Sequence, residues 1–403
     1  MKDLKAKPTP TRSRLRSCLV LIVGLMLLCL IVMSSSALSN SILPSHTIET
    51  AKLSELDKAR LLEAFHLRDE LGDTLWAGWG KADIPAILYN EEYAFLMEYP
   101  EPSAGWVKIP DNETFGGSWE VVPDDTFNGQ VYYRQRLPNK DTTPQSFIVL
   151  IGRRWVASLA TRDWLEIGLG NEFKEQMPPF LQPIFPYRIA SRLLLAGTGG
   201  KDWYVLGILH ESFHAYEGIK NPSRLYAAEK VFKENIDRYP LDNEMFRENW
   251  QTELNLLFDA IEAKSDAEMF DLTQQFLSQR QRRRDAANLD SDLIALENLK
   301  EWEEGLAKYT ELTMWRLAAT TSGYGPLSAI LKDPGFKNYA NYQQRWFQEI
   351  EQIKREANEQ GDARFYYSGL AQAAILDKLM PDWKTKILDR DGFLEDLLME
   401  ILK

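Results

Sequence analysis

The chain has 403 residues, of which 44% are hydrophobic and 11% aromatic, so it can bury a large core and is not expected to be disordered. Its formal net charge of −12 at pH 7 disfavours binding to nucleic acid, because the phosphate backbone repels an acidic protein.

The first forty residues differ from the rest of the chain. Six basic residues precede an uninterrupted apolar run at 18–33, and Ser34-Ser35-Ser36-Ala37 follows it. This order is typical of a membrane anchor or of a signal peptide, and the basic residues remain on the cytoplasmic side. The run is long for a signal peptide and short for a membrane span, so both interpretations stay open. We expect a single-pass membrane protein with an extracytoplasmic domain, or a secreted or periplasmic protein if residues 1–40 are removed.

The only two cysteines, Cys18 and Cys29, lie in this N-terminal segment. The exported part therefore cannot form a disulfide within itself, even in an oxidising compartment. Its stability must come from the packing of its core, together with any metal that it binds.

Beyond residue 40, the apolar pattern predicts strands first and helices second. An opening helix is predicted at 52–71, and short aliphatic and aromatic runs at 86–89, 93–96, 130–133 and 146–150 predict an antiparallel sheet. Helical spacing then dominates, at 203–217, 223–237, 244–264, 290–318, 337–358 and 365–380. We predict an α+β fold, with an anchor or signal at 1–40, an α+β domain at 41–200 and a mostly helical domain at 201–403.

Four arginines, Arg280, Arg282, Arg283 and Arg284, lie close together in the helical region. A run of like charges usually forms a solvated helix face rather than a binding site. We therefore expect these side chains at the surface.

Five residues, His210-Glu211-Ser212-Phe213-His214, carry the main functional signal. Histidines four positions apart lie on one face of a helix, where their imidazoles can bind a single Zn²⁺ ion. We expect Asp202 to cap this helix and Gly218 to end it. Glu211 follows the first histidine and can accept a proton from an attacking water, so it is the candidate general base. The motif predicts metal-assisted hydrolysis.

A zinc ion held by two histidines needs a third protein ligand. The remaining histidines, His46 and His66, stand in segments without ligand spacing, so a carboxylate is expected instead. Acidic residues cluster at 301–304 in an amphipathic helix, directly before Gly305. A small residue there would allow this helix to approach the metal helix closely. Glu303 and Glu304, together with the more distant Glu253, are the candidates.

The two segments together resemble zinc metallopeptidases of the gluzincin type, in which a helix with the HExxH motif is followed by a second helix that supplies a glutamate ligand. His210, Glu211 and His214 match the first helix, and Glu304-Gly305-Leu306-Ala307-Lys308-Tyr309 matches the Glu-Gly-x-Ala-x-Tyr context of the second. The resemblance implies that His210, His214 and Glu304 bind one Zn²⁺ ion. It also implies that Glu211 is the general base and that the substrate is a peptide or protein.

The chain departs from this family in three respects. About ninety residues separate His214 from Glu304, so a helical insertion is expected between them and the other two glutamates remain alternatives. Lys308 stands where many relatives carry an acid that supports a ligand histidine. The Gly-x-Met-Glu-Asn signature of many aminopeptidases is absent, so exopeptidase activity is not supported.

Two other functions stay open. The long insertion also suits a membrane-tethered binding or assembly protein in which a metal only braces the fold. A zinc hydrolase of non-peptide amides or esters is the second alternative, because Zn²⁺ polarises those carbonyls equally well. Tyr309 and Tyr324 are candidate donors to the transition state, but the more common role of such tyrosines is packing.

Overall fold

The structure is a computed structural model, and it describes residues 12–137, 148–197, 200–359, 361–388 and 392–403. A sheet region comes first and a mostly helical region follows, as the α+β prediction requires. The helices are α1 (Arg12–Ile42), α2 (Glu55–Leu75), α3 (Arg162–Gln176), α4 (Tyr187–Gly197), α5 (Gly200–Lys220), α6 (Pro222–Asn235), α7 (Glu244–Ile261), α8 (Asp266–Ala286), α9 (Ser291–Lys300), α10 (Leu306–Thr320), α11 (Tyr342–Ile353), α12 (Ala363–Leu379), α13 (Trp383–Ile387) and α14 (Leu394–Ile401). A π-helical turn, Glu301–Gly305, joins α9 to α10, so the predicted helix at 290–318 is interrupted.

Eight strands of the described chain form one sheet. They are β1 (Ala86–Tyr89), β2 (Tyr93–Met97), β3 (Trp106–Lys108), β4 (Thr114–Phe115), β5 (Glu120–Val121), β6 (Tyr133–Arg136), β7 (Val149–Ile151) and β8 (Arg154–Ala160). The order across the sheet is β4-β3-β7-β8-β1-β2-β6-β5. Neighbours are antiparallel except β1 and β8, which run parallel with Ala86 opposite Ala157. The strand expected at 130–133 begins only at its last residue, because a tight turn closes between Phe127 and Gln130.

The described residues form two compact units. One contains the residues up to 48 together with 163–197, which include α1, α3 and α4. The other contains 49–162 and 198–403, which include the sheet and the remaining helices. Helix α5, which contains the HExxH motif, packs against β8, so the sheet and this helix belong to the same unit. The expected division at residue 200 does not separate them.

Helix α1 contains a 23-residue segment, Val20–Ile42, that is long and apolar enough to cross a membrane. At about 1.5 Å per residue it spans roughly 34 Å, slightly more than the ~30 Å of a bilayer's hydrocarbon core. Its apolar side chains are largely exposed, unlike those of a core helix. Such a helix suits a membrane anchor or a signal sequence.

Helix α5 lies in the core of the larger unit, in contact with β8, α10 and α2. Neither predicted boundary of this helix is correct. Asp202 lies inside the first turn, where its carboxylate accepts hydrogen bonds from the backbone N–H groups of Lys337 (2.8 Å) and Tyr339 (2.6 Å). Gly218 lies within the helix against Trp155, whose ring would be 2.4 Å from a Cβ at that position. The glycine is required there for close packing on the sheet rather than for ending the helix.

The expectation that the arginine run forms a solvated face is wrong for three of its four members. Arg280, Arg283 and Arg284 are buried, and only Arg282 is exposed. Their guanidinium groups pair with buried or half-buried carboxylates from four other parts of the larger unit, namely Glu253, Glu297, Glu301 and Glu395. Residues three or four positions apart lie on one face of a helix, so these three arginines can all point inward. There they meet carboxylates that are distant in sequence.

We expect Arg283→Met to lower the free energy of unfolding by about 3–5 kcal/mol, because it leaves Glu253 and Glu297 as buried charges with fewer partners. Urea unfolding of the full chain in detergent measures this change. Arg282→Met on the same helix is the matched control, and it should stay within about 0.5 kcal/mol of the wild type because its side chain is exposed. Equal losses in both variants would contradict a structural role for the buried network.

Candidate metal centre

The HExxH motif lies in the second half of α5, as the spacing predicts. His210 and His214 are one turn apart and both are buried. Their rings meet almost at right angles, at 83°, and their Nε2 atoms are 3.1 Å apart. Two histidine nitrogens therefore face a common point.

Glu304 completes this group from the π-helical turn. Its Oε2 atom is 3.4 Å from the Nε2 atom of His210 and 3.3 Å from that of His214. In a tetrahedral site with Zn²⁺ bonds of about 2.0–2.1 Å, ligand atoms are about 3.3–3.4 Å apart. The three atoms thus form a triangle of the size that a zinc ion requires. The structure brings together the three residues that the resemblance to gluzincins implies as ligands.

The groups around the triangle suit a cation. The Nδ1 atom of His214 lies 2.8 Å from Glu217 Oε2, so in the neutral ring with Nδ1 as the donor the Nε2 atom has a lone pair for a cation. Glu304 Oε2 is buried and has no hydrogen-bond partner. Burial lowers the pKa of His214, but Glu304 and Glu217 outweigh that effect and hold this pKa well above its usual value. The pocket therefore favours a positive charge, and its donor set fits Zn²⁺.

Two supporting carboxylates were not predicted from the sequence. Glu217 lies one turn after His214 on α5, and this spacing could have identified it. Glu311 on α10 faces His210, with its Oε2 atom 3.6 Å from Nδ1, and its Oε1 atom accepts a hydrogen bond from Lys308 at 3.0 Å. Lys308, which departs from the family pattern, thus donates a hydrogen bond to Glu311, an acid seven positions after Glu304. Carboxylates in these places orient ligand imidazoles.

The other two glutamate candidates lie elsewhere. Glu303 Oε2 accepts a hydrogen bond from the ammonium group of Lys300 at 2.6 Å. The same ammonium group lies 3.2 Å from Glu304 Oε1, so it occupies the space between these carboxylates. Glu253 pairs with Arg280 and Arg283 in the buried network. Neither Glu303 nor Glu253 accompanies the two histidines.

Glu211 and the triangle border the same cleft, which has a volume of about 410 Å³. Burial raises the pKa of Glu211 to about 7, while His210 and His214 oppose this rise. A general base acts best when its pKa is near the working pH. The cleft is lined by Lys108, Ile109, Pro110, Asp111, Ile148, His210, Glu211, His214, Glu229, Phe232, Lys233, Lys300, Glu304, Asp362 and Tyr366.

Comparisons of the chain with protein-family models, curated proteins and solved structures gave no match. The functional argument therefore rests on the motif and on the geometry of this site.

Tyr366 on α12 is a cleft residue that sequence reasoning missed. Its ring stacks on that of His210, with centroids 5.8 Å apart and planes 10° apart. Burial, followed by the Glu304 carboxylate, raises its pKa well above the usual value, so the phenol keeps its proton at neutral pH. Neither a motif nor a spacing indicates this residue, because only the packing of α12 brings it to the site.

A contact between two glycines positions α12. A Cβ on Gly305 would lie 2.5 Å from Gly369 Cα, and one on Gly369 would lie 2.4 Å from the carbonyl oxygen of Glu301. Gly305 therefore allows α12, rather than α5, to approach closely. The sequence-based explanation, in which this small residue lets the metal helix α5 approach, is wrong. This close contact fixes Tyr366, one turn before Gly369, beside the π-helical turn.

The two tyrosines considered from the sequence have other roles. Tyr309 donates a hydrogen bond to Asp377, and Tyr324 donates one to Glu63 at 2.7 Å. Neither tyrosine lines the cleft that contains the histidines. The hydroxyl groups of both tyrosines are therefore hydrogen bonded elsewhere in the larger unit.

Proposed function

We propose that this protein is a membrane-anchored, zinc-dependent metallopeptidase that resembles gluzincins. The observation that carries the proposal is the triangle of His210 Nε2, His214 Nε2 and Glu304 Oε2, with sides of 3.1–3.4 Å. Glu211 borders the same cleft, where a substrate carbonyl and a water can meet. A structural metal site has no need of an acid in that place.

The chain's own residues take distinct parts in the proposed reaction. Zn²⁺, when bound, supplies a Lewis acid that polarises the scissile carbonyl and makes water more acidic. Glu211 accepts the proton of the attacking water and returns it to the leaving amine. Tyr366 donates a hydrogen bond to the oxygen that becomes negative in the transition state. Glu217 and Glu311 hold the two imidazoles in their orientations.

We propose that α1 is retained as an anchor and that the cleft faces outward. The basic residues before the apolar run favour a cytoplasmic N-terminus. Within the smaller unit, the end of α1 contacts α4: Ser36 is buried, and the side-chain amide of Asn40 donates a hydrogen bond to the carbonyl oxygen of Phe185 at 2.7 Å. A segment that is cleaved and discarded has no need of such contacts.

Metal analysis combined with substrate profiling tests the proposal. The full chain, purified in detergent, should contain about one zinc ion and cleave members of a broad peptide library, with loss on chelation and recovery on adding zinc. A panel of acyl amides and esters, assayed in parallel, should react less readily than peptides. Stoichiometric zinc without any hydrolysis would overturn the enzymatic proposal, and preference for the panel would overturn the peptide substrate.

We expect Tyr366→Phe to lower kcat by about 10²–10³-fold while zinc content and KM stay near wild type, because one hydrogen bond to the transition state is lost. Steady-state kinetics on the best library peptide measures this effect. The neighbouring Tyr367 donates a hydrogen bond to Glu349 at 2.7 Å and does not line the cleft, so Tyr367→Phe is the matched control. A similar kcat in the two variants would remove Tyr366 from the mechanism.

A further inference from the structure

Helix α4 exposes an apolar face. Leu193 is 67% exposed, Leu194 48% and Ile189 38%. At 100° per residue these three side chains lie in one arc of the helix, together with Ala190 and Gly197. The opposite side is buried and contains Tyr187, Ser191 and Leu195. A helix on a water-facing surface has the reverse pattern, with its polar residues outside.

The two charged residues of α4 lie outside this face and are held by the protein. The Arg188 guanidinium group donates a hydrogen bond to the carbonyl oxygen of Leu43, and Arg192 pairs with Glu166. Among the residues that the structure describes, the apolar arc therefore has no charge on it. An exposed apolar helix face of this kind is a candidate interaction site.

The position of α4 indicates what covers this face. Phe185, two residues before α4, accepts a hydrogen bond from Asn40 near the end of α1. Arg188, in the first turn of α4, donates one to the carbonyl oxygen of Leu43, the residue directly after α1. About twenty residues of helix cross the hydrocarbon core, so a span that begins near Val20 ends near Asn40. The start of α4 is thus held at the level where the anchor leaves the bilayer. Amphipathic helices at that level lie in the plane of the membrane with their apolar side in the lipid.

We propose that α4 is an interfacial membrane helix whose face of Ile189, Leu193 and Leu194 contacts lipid beside the anchor. This inference rests on the proposed retention of α1 in the membrane. It adds a second lipid contact, so the smaller unit is held against the bilayer rather than only tethered to it.

Site-specific fluorescence in vesicles tests the inference. The full chain, with Cys18→Ser and Cys29→Ser, receives a single environment-sensitive label at Leu193→Cys or Ile189→Cys and is reconstituted into phosphatidylcholine vesicles. We expect the ratio of quenching by spin-labelled lipid to quenching by aqueous iodide to be about fivefold higher there than at Glu175→Cys. Glu175 is the matched control, because it is exposed on α3 in the same unit.

A label on the native Cys29, in the Cys18→Ser chain, reports separately whether α1 is inserted. Lipid quenching at Cys29 with iodide quenching at 189 and 193 would overturn the inference while leaving the anchor intact. Iodide quenching at Cys29 as well would overturn the anchor and the inference together. Lipid quenching at 29, 189 and 193, but not at 175, supports the inference.

Discussion

Glu211→Gln is expected to keep one zinc ion per chain while its kcat falls by about 10²–10⁴-fold, the usual contribution of a positioned general base. The amide has nearly the same shape as the carboxylate but cannot take a proton from water at neutral pH. Glu211 is not a member of the ligand triangle, so the metal should remain. Elemental analysis and kinetics on the best library peptide measure the two quantities on the same preparation.

The matched control is Glu234→Gln on α6, since this glutamate is exposed and does not line the cleft. Its kcat should stay within about twofold of the wild type, as is usual for surface substitutions away from a site. Undiminished hydrolysis by Glu211→Gln would refute the general-base mechanism. Loss of zinc from the same variant would instead make Glu211 part of the metal site.

The parts of this molecule that sequence predicted well depend on local spacing. The i, i+4 relation of His210 and His214 is set by helix geometry alone, so the two nitrogens had to share one face. The strands at 86–89 and 93–96 are likewise local, and they occur as β1 and β2. The helix predicted at 52–71 occurs as α2, where the Ser54 side chain accepts a hydrogen bond from the backbone of Asp57.

The failures depend on partners that are far away in sequence. Arg284 was expected in water because its neighbours are charged, but Glu297 and Glu395 pair with it from other helices, the latter 111 residues away. Tyr366 was not predicted because its role depends on the approach of α12 to the π-helical turn. That approach requires both Gly305 and Gly369, and no spacing rule connects two glycines in different helices.

The proposed third ligand shows what the sequence and the structure each contribute. The acidic cluster at 301–304 was recognised from its composition and from the family resemblance, but adjacent residues on a helix point about 100° apart. Sequence alone therefore left Glu303 and Glu304 as alternatives. The π-helical turn sets the register: Glu304 Oε2 faces the histidines, and Glu303 Oε2 faces Lys300. Turns of this kind are frequent at functional sites.

The orientation of Glu304 toward the histidines leads to the prediction with the second large effect. We expect Glu304→Gln to weaken zinc binding by more than about 100-fold and to abolish hydrolysis, because a carboxamide is a poor substitute for a charged ligand and supporting residues alone are worth 10–100-fold. Competition with a chelator of known affinity measures the change, and circular dichroism verifies that the variant is folded.

Glu303→Gln is the matched control, since it makes the same chemical change one residue earlier in the same buried turn. Lys300 keeps Glu229 and Glu304 as partners in that variant, so its ammonium group stays paired and zinc affinity should remain within about tenfold of the wild type. The opposite order of the two affinities would show that Glu303 is the ligand. The two variants differ only in which carboxylate is lost. The order of their zinc affinities therefore shows which of the two glutamates the π-helical turn directs toward the histidines.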